Sequence, residues 1–564
     1  MAEEGDQTGV SPLVIVVASC AVVLALLVGV IVLVSSGSDE PPRDRPAEAV
    51  RTARSWLRSW ARDDRKEMRR IAVGRAAGLE AVLEDFESSL QPGAIDAEAA
   101  PTAVVDGDRA TVPFFAEIEL PGFGTWSYRG ALELVDREVP VPDSDDTEKK
   151  WQVVFSPTTI HPSLVDGRSL RLARMWTARG ALLMTDGSPL PGVMPWRSIG
   201  GAVGPATRER ATELGAYYRT GDVVGQSGLQ AGLERELAGT PSGEVQVVAG
   251  DDVVEVLQAF SGTAGVDVRT TFDRRLVDAA HQVLGNQGNG AAMVVIQPST
   301  GAIRAIANRT ANGYNRAFAG RYPTGSTMKV ITTVALLENG VTPETRIDCP
   351  KEIKVNGRVI RNAEEEELGD ISFREAFVHS CNTAFIKLAQ DLQPDDLVEA
   401  AKRFGFETDF GLGTPVGISQ VPQPHGIVDQ VSEAIGQGRV LGTPLQMAVV
   451  AADVAAGGYR KPHLVELPVP PPLEPMSPGV AATLQDFMFR VVTEGTGKKA
   501  RLPGTPVGGK TGTAEFGTRV PLRTHAWFIA FRGDLALAVV VEDGGFGGDA
   551  AAPLAADFFK RVSR

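Results

Sequence analysis

A serine hydroxyl becomes a nucleophile only when a neighbouring group takes its proton, and a lysine amine can do this only if it is held partly neutral near pH 7. The 564-residue sequence places Ser326 and Lys329 three positions apart in Ser326-Thr327-Met328-Lys329. On a helix, that spacing puts both side chains on one face, with the amine in reach of the hydroxyl. Tyr322-Pro323-Thr324-Gly325 lead in, and an apolar run to Asn339-Gly340 follows. Ser326 is therefore predicted at a helix N-terminus, where free N–H groups and the dipole favour negative charge on a reacting carbonyl oxygen. To serve as the base, Lys329 must be desolvated or repelled by another cation.

Two further segments supply groups such a reaction needs. Ser380-Cys381-Asn382 falls between a short helix opened by the capping box Ser372-Phe373-Arg374-Glu375 and an apolar-periodic run beginning at Ala384. In that connection Ser380 can relay a proton to an attacking or leaving amine, and the Asn382 amide can hold a substrate peptide group. Lys510-Thr511-Gly512-Thr513 falls on a predicted strand, where Gly512 removes a side chain and admits a ligand backbone. A substrate pairing along that edge brings its terminal carboxylate to Lys510 and Thr511, and the N–H of Thr513 joins that of Ser326 in an oxyanion hole. Singly, each motif has a plainer reading: a first-turn lysine is usually a solvated charge, and a Ser-x-Asn turn usually bonds its own backbone. Their order within one domain, on a helix start, an interhelical loop and a strand, removes chance as the explanation.

The elements that position these residues belong to a chain too long for one hydrophobic core. Its pattern is that of a multidomain α+β protein with a single transmembrane helix. Residues 13–34 are 22 consecutive apolar or small positions, enough to span a hydrocarbon core. They are expected to anchor the chain after a cytoplasmic tail, 1–12, that carries no Lys or Arg; a cleaved signal peptide is the alternative. Arg43, Arg45, Arg51, Arg54 and Arg58 follow the span, which by the positive-inside rule favours the opposite orientation, but long domains translocate largely regardless of charge. After a linker, 35–45, come a small α+β domain, 46–160, a glycine-rich pedestal, 161–265, and a final domain, 266–564, with an antiparallel sheet flanked by helices. A net charge of −14 argues against nucleic acid as a partner. Cys20, Cys349 and Cys381 are too few and too dispersed for a disulfide framework or a metal site, so Cys349 and Cys381 are expected to be unpaired, and no metal or cofactor is expected.

On its Ser-x-x-Lys, Ser-x-Asn and Lys-Thr-Gly motifs, residues 266–564 resemble the penicillin-binding transpeptidase domain, whose motifs serine β-lactamases share. Ile435-Gly436-Gln437-Gly438 before Thr443-Pro444-Leu445-Gln446, and Trp527-Phe528 after the Lys-Thr-Gly strand, extend the likeness. Residues 151–164 (WQVVFSPTTIHPSL) resemble the end of the NTF2-like N-terminal domain in one branch of class B penicillin-binding proteins. The resemblance implies a pedestal of the dimerisation-domain type and a peptidoglycan DD-transpeptidase on the outer side of the cell membrane. Ser326 is then acylated by a D-Ala-D-Ala stem peptide and released by a neighbouring stem's amine, with β-lactams as inhibitors. It also implies a separate polymerase partner, in related enzymes a SEDS-family glycosyltransferase. The family's DR(N/D)G pedestal motif is replaced here by Met184-Thr185-Asp186-Gly187. A DD-carboxypeptidase, a serine β-lactamase and a catalytically idle scaffold share the same motifs and stay open as alternatives.

Overall fold

The computed structural model describes residues 43–141, 145–165, 167–192, 196–309, 314–517 and 522–563. The expected transmembrane helix at 13–34 lies outside the described residues, as does the tail before it. Among the described residues no helix is long and apolar enough to cross a membrane.

The described residues form two compact units, the first built from residues 43–74, 98–114 and 131–155. Its helix α1 (Arg45–Ala61) starts where Asp44 accepts a hydrogen bond from the Ala47 N–H and Pro46 occupies the first turn. Ala49, Val50, Ala53, Trp56, Leu57 and Trp60 recur at helical spacing and are buried. The strands wholly or partly within it are β1 (Ala72–Gly74), β2 (Val104–Asp106), β3 (Arg109–Leu120), β4 (Gly124–Pro140) and β5 (Thr147–Phe155). In this unit β1 runs parallel to β5, the 134–140 end of β4 runs antiparallel to β5, and β2 turns back on the start of β3. Burial alternates along β3, the signature of a sheet with one covered face.

The second unit holds residues 75–97, 115–130 and 156–564. Its pedestal contains a three-stranded sheet ordered β8-β7-β6, formed by β6 (Ser169–Met175), β7 (Ser242–Ala249) and β8 (Asp252–Phe260). Met184-Thr185-Asp186-Gly187, the departure from the family motif, is a tight turn. It docks on the next domain through the Thr185 N–H to Phe272 O (3.0 Å) and through Arg274, which donates to Ser188 (2.7 Å).

That next domain opens with α2 (Arg274–Gly285), capped by Asp273, followed by β9 (Ala291–Gln297) and β10 (Ala302–Arg309). Then come α3 (Lys329–Glu338), β11 (Arg346–Cys349), β12 (Glu352–Val355), β13 (Arg358–Arg361), β14 (Gly369–Ser372), α4 (Phe373–Val378) and α5 (Asn382–Ala389). The chain closes the core with α6 (Pro444–Ala456), α7 (Val480–Thr493), β15 (Gly508–Phe516), β16 (Arg523–Arg532), β17 (Leu535–Val541) and α8 (Gly547–Val562). The central sheet is antiparallel, in the order β10-β9-β17-β16-β15, which leaves β15 at an edge. Helices α2 and α8 pack together on the sheet, as do α6 and α7. Covered in this way, β9 and β17 read as continuous apolar runs rather than alternating ones.

Cys349 and Cys381, expected to be unpaired, are joined in a disulfide. The pairing comes from topology and not from spacing. Cys349 ends β11, where it pairs with the start of β14, and the chain then runs through α4 and reverses so that Cys381 caps α5, which packs on β11. The bridge closes a loop 32 residues in sequence. Non-reducing peptide mapping of the full-length chain is expected to recover Cys349 and Cys381 in one linked species, and reduction is expected to cost about 2–4 kcal/mol of stability. Alkylation of both thiols without reductant would contradict the pairing.

Candidate active site

Ser326 lies one turn earlier in the local structure than the motif suggests. Gly325–Met328 is a 3₁₀ turn, and the α-helix α3 begins only at Lys329. The turn is wedged between two backbones. Gly325 has φ +52°, its N–H donates to Gly436 O at 2.8 Å, and a Cβ on it would lie 2.7 Å from Thr513 O. A Cβ on Gly436 would lie 1.9 Å from Gly325 O. Both glycines are thus required by close approach. The Thr327 hydroxyl donates to Thr324 O (2.7 Å) and the Trp527 indole to Pro323 O (3.0 Å), fixing the turn against the sheet.

The connection bearing Ser380 is set by its flanking caps. Ser372 and Glu375 make the capping box that starts α4, and α4 ends at His379. Ser380 then adopts φ +61°, and Cys381 starts α5, its Sγ accepting from the Ala384 N–H at 3.3 Å. A non-glycine residue in this left-handed region is the kind of backbone strain that functional sites retain. The turn aims Ser380 and Asn382 at Lys329.

Lys329 has no exposed surface. Its Nζ donates to Ser380 O and Asn382 Oδ1, both at 2.7 Å, and lies 3.4 Å from Ser380 Oγ; among the described residues none of its hydrogen bonds goes to Ser326. Burial holds the amine well below the ordinary lysine value, the Lys510 charge pushes it the same way, and Glu366 opposes both. Lys510 is equally buried and is lowered by that burial to about 7. Its Nζ donates to Ser380 Oγ at 2.8 Å and to its own neighbour's carbonyl, Thr511 O, at 3.2 Å. Aromatic faces cover both amines, Phe385 5.1 Å from Lys329 and Phe377 5.6 Å from Lys510. Two weakened cations therefore converge on one hydroxyl.

Ser326, Ser380, Asn382, Thr511 and Thr513 line a cleft of about 820 Å³, with the two lysines buried beneath it. The Thr511 hydroxyl shares a 2.6 Å hydrogen bond with Thr496, and Thr513 Oγ1 accepts from the Gly547 N–H at 3.3 Å. Asn382 has its Oδ1 on Lys329 and one N–H on Arg361 O at 3.0 Å, while the second N–H of its amide has no partner among the described residues and the residue lines the cleft. Gly512 faces inward, and a Cβ there would meet Thr324 O and Thr327 Cγ2, both at 2.9 Å, and Trp527 Cβ at 3.1 Å. Its missing side chain lets the strand lie on the Ser326 turn. Sequence reasoning missed Phe377, Phe385, Glu366 and Thr496, which belong to no motif.

Comparison with known proteins gives three family matches: the penicillin binding protein transpeptidase domain over residues 291–560, the penicillin-binding protein dimerisation domain over 196–270, and the NTF2-like N-terminal transpeptidase domain over 48–168. The peptidoglycan D,D-transpeptidase PbpA of Mycolicibacterium smegmatis is 33% identical over 352 residues, covering 51% of this chain and 71% of that protein. The crystal structure of Pseudomonas aeruginosa PBP2 in complex with WCK 5153 is similar with a TM-score of 0.60 at 25% identity, over 70% of this chain and 96% of that one. A chain from a structure described as the structural coordination of polymerization and crosslinking by a peptidoglycan synthase complex aligns over 71% of this chain and 92% of its own, again at 25% identity and TM-score 0.60.

The packing at Gly512 carries a direct consequence. Gly512→Ala is expected to lower stability by about 1–3 kcal/mol through overpacking, and to slow reaction at Ser326 by displacing its turn. An unchanged melting temperature together with an unchanged rate of labelling by a fluorescent penicillin would contradict this packing.

Proposed function

The chain belongs to the class B penicillin-binding proteins, with NTF2-like, dimerisation and transpeptidase domains and peptidoglycan D,D-transpeptidase function, and on that premise we propose that Ser326 is its nucleophile and Lys329 the base. The observation that carries the reading is the convergence of both buried lysines on Ser380, whose hydroxyl oxygen is 3.4 Å from Lys329 and 2.8 Å from Lys510. A stem peptide pairs along the free edge of β15, its terminal carboxylate at the Thr511 and Thr513 hydroxyls with the Lys510 charge behind them.

Neutral Lys329 takes the Ser326 proton as Oγ bonds to the carbonyl carbon of the penultimate D-alanine. The N–H groups of Ser326 and Thr513 hold the oxyanion. The peptide C–N bond breaks, the proton passes through Ser380 to the departing amine, and D-alanine leaves an ester on Ser326. The amine of a second stem adds to that ester and surrenders its proton to the same base, and Ser326 Oγ leaves by taking that proton back from Lys329, which gives the cross-link and restores the neutral amine. A β-lactam follows the first half only, because its leaving nitrogen stays tethered to the acyl group and obstructs the acceptor.

Residues 13–34 anchor the chain, with the catalytic domain outside the cytoplasm where its substrate lies; the 22-position apolar run supports this. A SEDS-family glycosyltransferase in the membrane supplies the glycan strands. The relative from a peptidoglycan synthase complex, in which polymerization and crosslinking are coordinated, supports that pairing.

Fluorescent-penicillin labelling of the full-length chain, with Ser326→Ala alongside, tests the nucleophile, and its pH dependence tests the lysines. Lys329 acts only when neutral, so the rate falls as pH drops through its lowered value. Lys510 attracts a carboxylate only when charged, so affinity falls as pH rises through about 7. The expected profile has both limbs, and Ser326→Ala is unlabelled. An unlabelled wild type, or equal labelling of Ser326→Ala, would overturn the assignment.

A further inference from the structure

Asn362 lies outside every motif yet sits where the hairpin β12–β13 meets the start of α5. It is buried, 6% exposed. Its Nδ2 donates to Glu366 O at 2.8 Å, to Pro350 O at 2.9 Å and, more distantly, to Thr383 Oγ1 at 3.2 Å; its Oδ1 accepts the Thr383 N–H at 3.0 Å. Thr383 closes the ring by donating its hydroxyl to Pro350 O at 2.8 Å. One side chain thus ties the ends of three segments: the start of the hairpin, the loop before β14, and the first turn of α5. The residues next to the two tied partners are Arg361 and Asn382, and these bond each other, with Asn382 Nδ2 donating to Arg361 O at 3.0 Å.

That contact decides which end of the Asn382 amide faces the lysine. A backbone carbonyl can only accept, so Arg361 O takes the NH₂ end whatever the charge on Lys329. The oxygen end is then presented to the Lys329 amine at 2.7 Å. If the carbonyl of Arg361 were free to move, the amide would lose its reason to keep that orientation, and the amine would lose one of its two short acceptors. Burial makes such alignment matter more than it would in water.

We propose that Asn362 is a positioning residue for the reaction: it fixes the Arg361 carbonyl against Asn382, so that the Asn382 oxygen holds the Lys329 amine in its working place. The proposal rests on the reading of Ser326 and Lys329 as nucleophile and base. The charged groups facing that amine are Lys510 on β15 and Glu366 from the loop before β14, and the Phe385 ring lies over it from α5. Of these only Glu366 bonds Asn362 among the described residues, through its backbone carbonyl, so its hold near the amine belongs to the same ring.

The test is a double-mutant cycle on the rate of fluorescent-penicillin acylation in the full-length chain, using Asn362→Ala, Asn382→Ala and the pair, each across pH. Asn362→Ala is expected to slow acylation about tenfold, the effect of one misaligned hydrogen bond. Added to Asn382→Ala it is expected to cost little more, because both act through one contact. The acid limb is expected to move to lower pH in Asn362→Ala, because an acceptor that stabilised the ammonium form is lost. Thr383→Val, which removes only the hydroxyl of the ring, serves the same cycle if Asn362→Ala does not fold. Multiplicative losses, or a uniform fall with the acid limb unmoved, would overturn the proposal while leaving the nucleophile intact. An unlabelled wild type would overturn the catalytic reading and this inference with it.

Discussion

An ammonium group with no exposed surface loses hydration worth several kcal/mol unless a counter-charge or several acceptors replace it. Lys329 has no carboxylate at ion-pair distance among the described residues; it has two short acceptors, one long one, an aromatic face and a second cation nearby. That balance keeps the amine in place but close to neutrality, which is what proton abstraction from a serine requires. Everything around it has to be held rigidly, since a water molecule admitted to the amine would restore the ammonium form. The Ser380 turn is accordingly fixed from several sides: the capping box of α4 before it, the Cys349–Cys381 bridge beside it and the Asn362 ring beyond it.

The nucleophile turn is constrained in the same manner by volume. Gly325, Gly436 and Gly512 meet around it with no room for a Cβ, so the loop after residue 435, the 3₁₀ turn and strand β15 are packed backbone to backbone. The packing lets the edge strand lie directly against Ser326. Because β15 ends the sheet, its outer edge faces the cleft with no other strand of the described residues paired to it, and the geometry suits an extended peptide better than a globular ligand.

Much of this could be read from the sequence because it is local. The capping box of Ser372 and Glu375, the Pro46 start of α1, and the apolar runs of β9 and β17 each depend on residues a few positions apart. The three motifs were legible for a related reason, since each pairs residue types whose chemistry is useless without the others. What was hidden depends on tertiary contact. The Cys349–Cys381 bridge needs the register of β11 and the reversal at Ser380. The inward face of Gly512 needs the docking of β15 on Thr324 and Thr327. The contacts of Asn382 with Lys329 and Arg361 need the hairpin end that lies over α5. Ser326 itself fell on a 3₁₀ turn because Gly325, pinned to Gly436, delays the first α-helical residue to Lys329.

The central claim is that the buried Lys329 amine is available as a base near neutral pH. Its ionisation can be followed directly by NMR in the unliganded full-length chain carrying ¹³Cε-labelled lysine, with Lys329→Ala and Lys510→Ala used to assign the two buried resonances. The account predicts that the signal lost in Lys329→Ala titrates far below the ordinary lysine value of 10.5. A Lys329 resonance that stays in the ammonium form up to that ordinary value would contradict it.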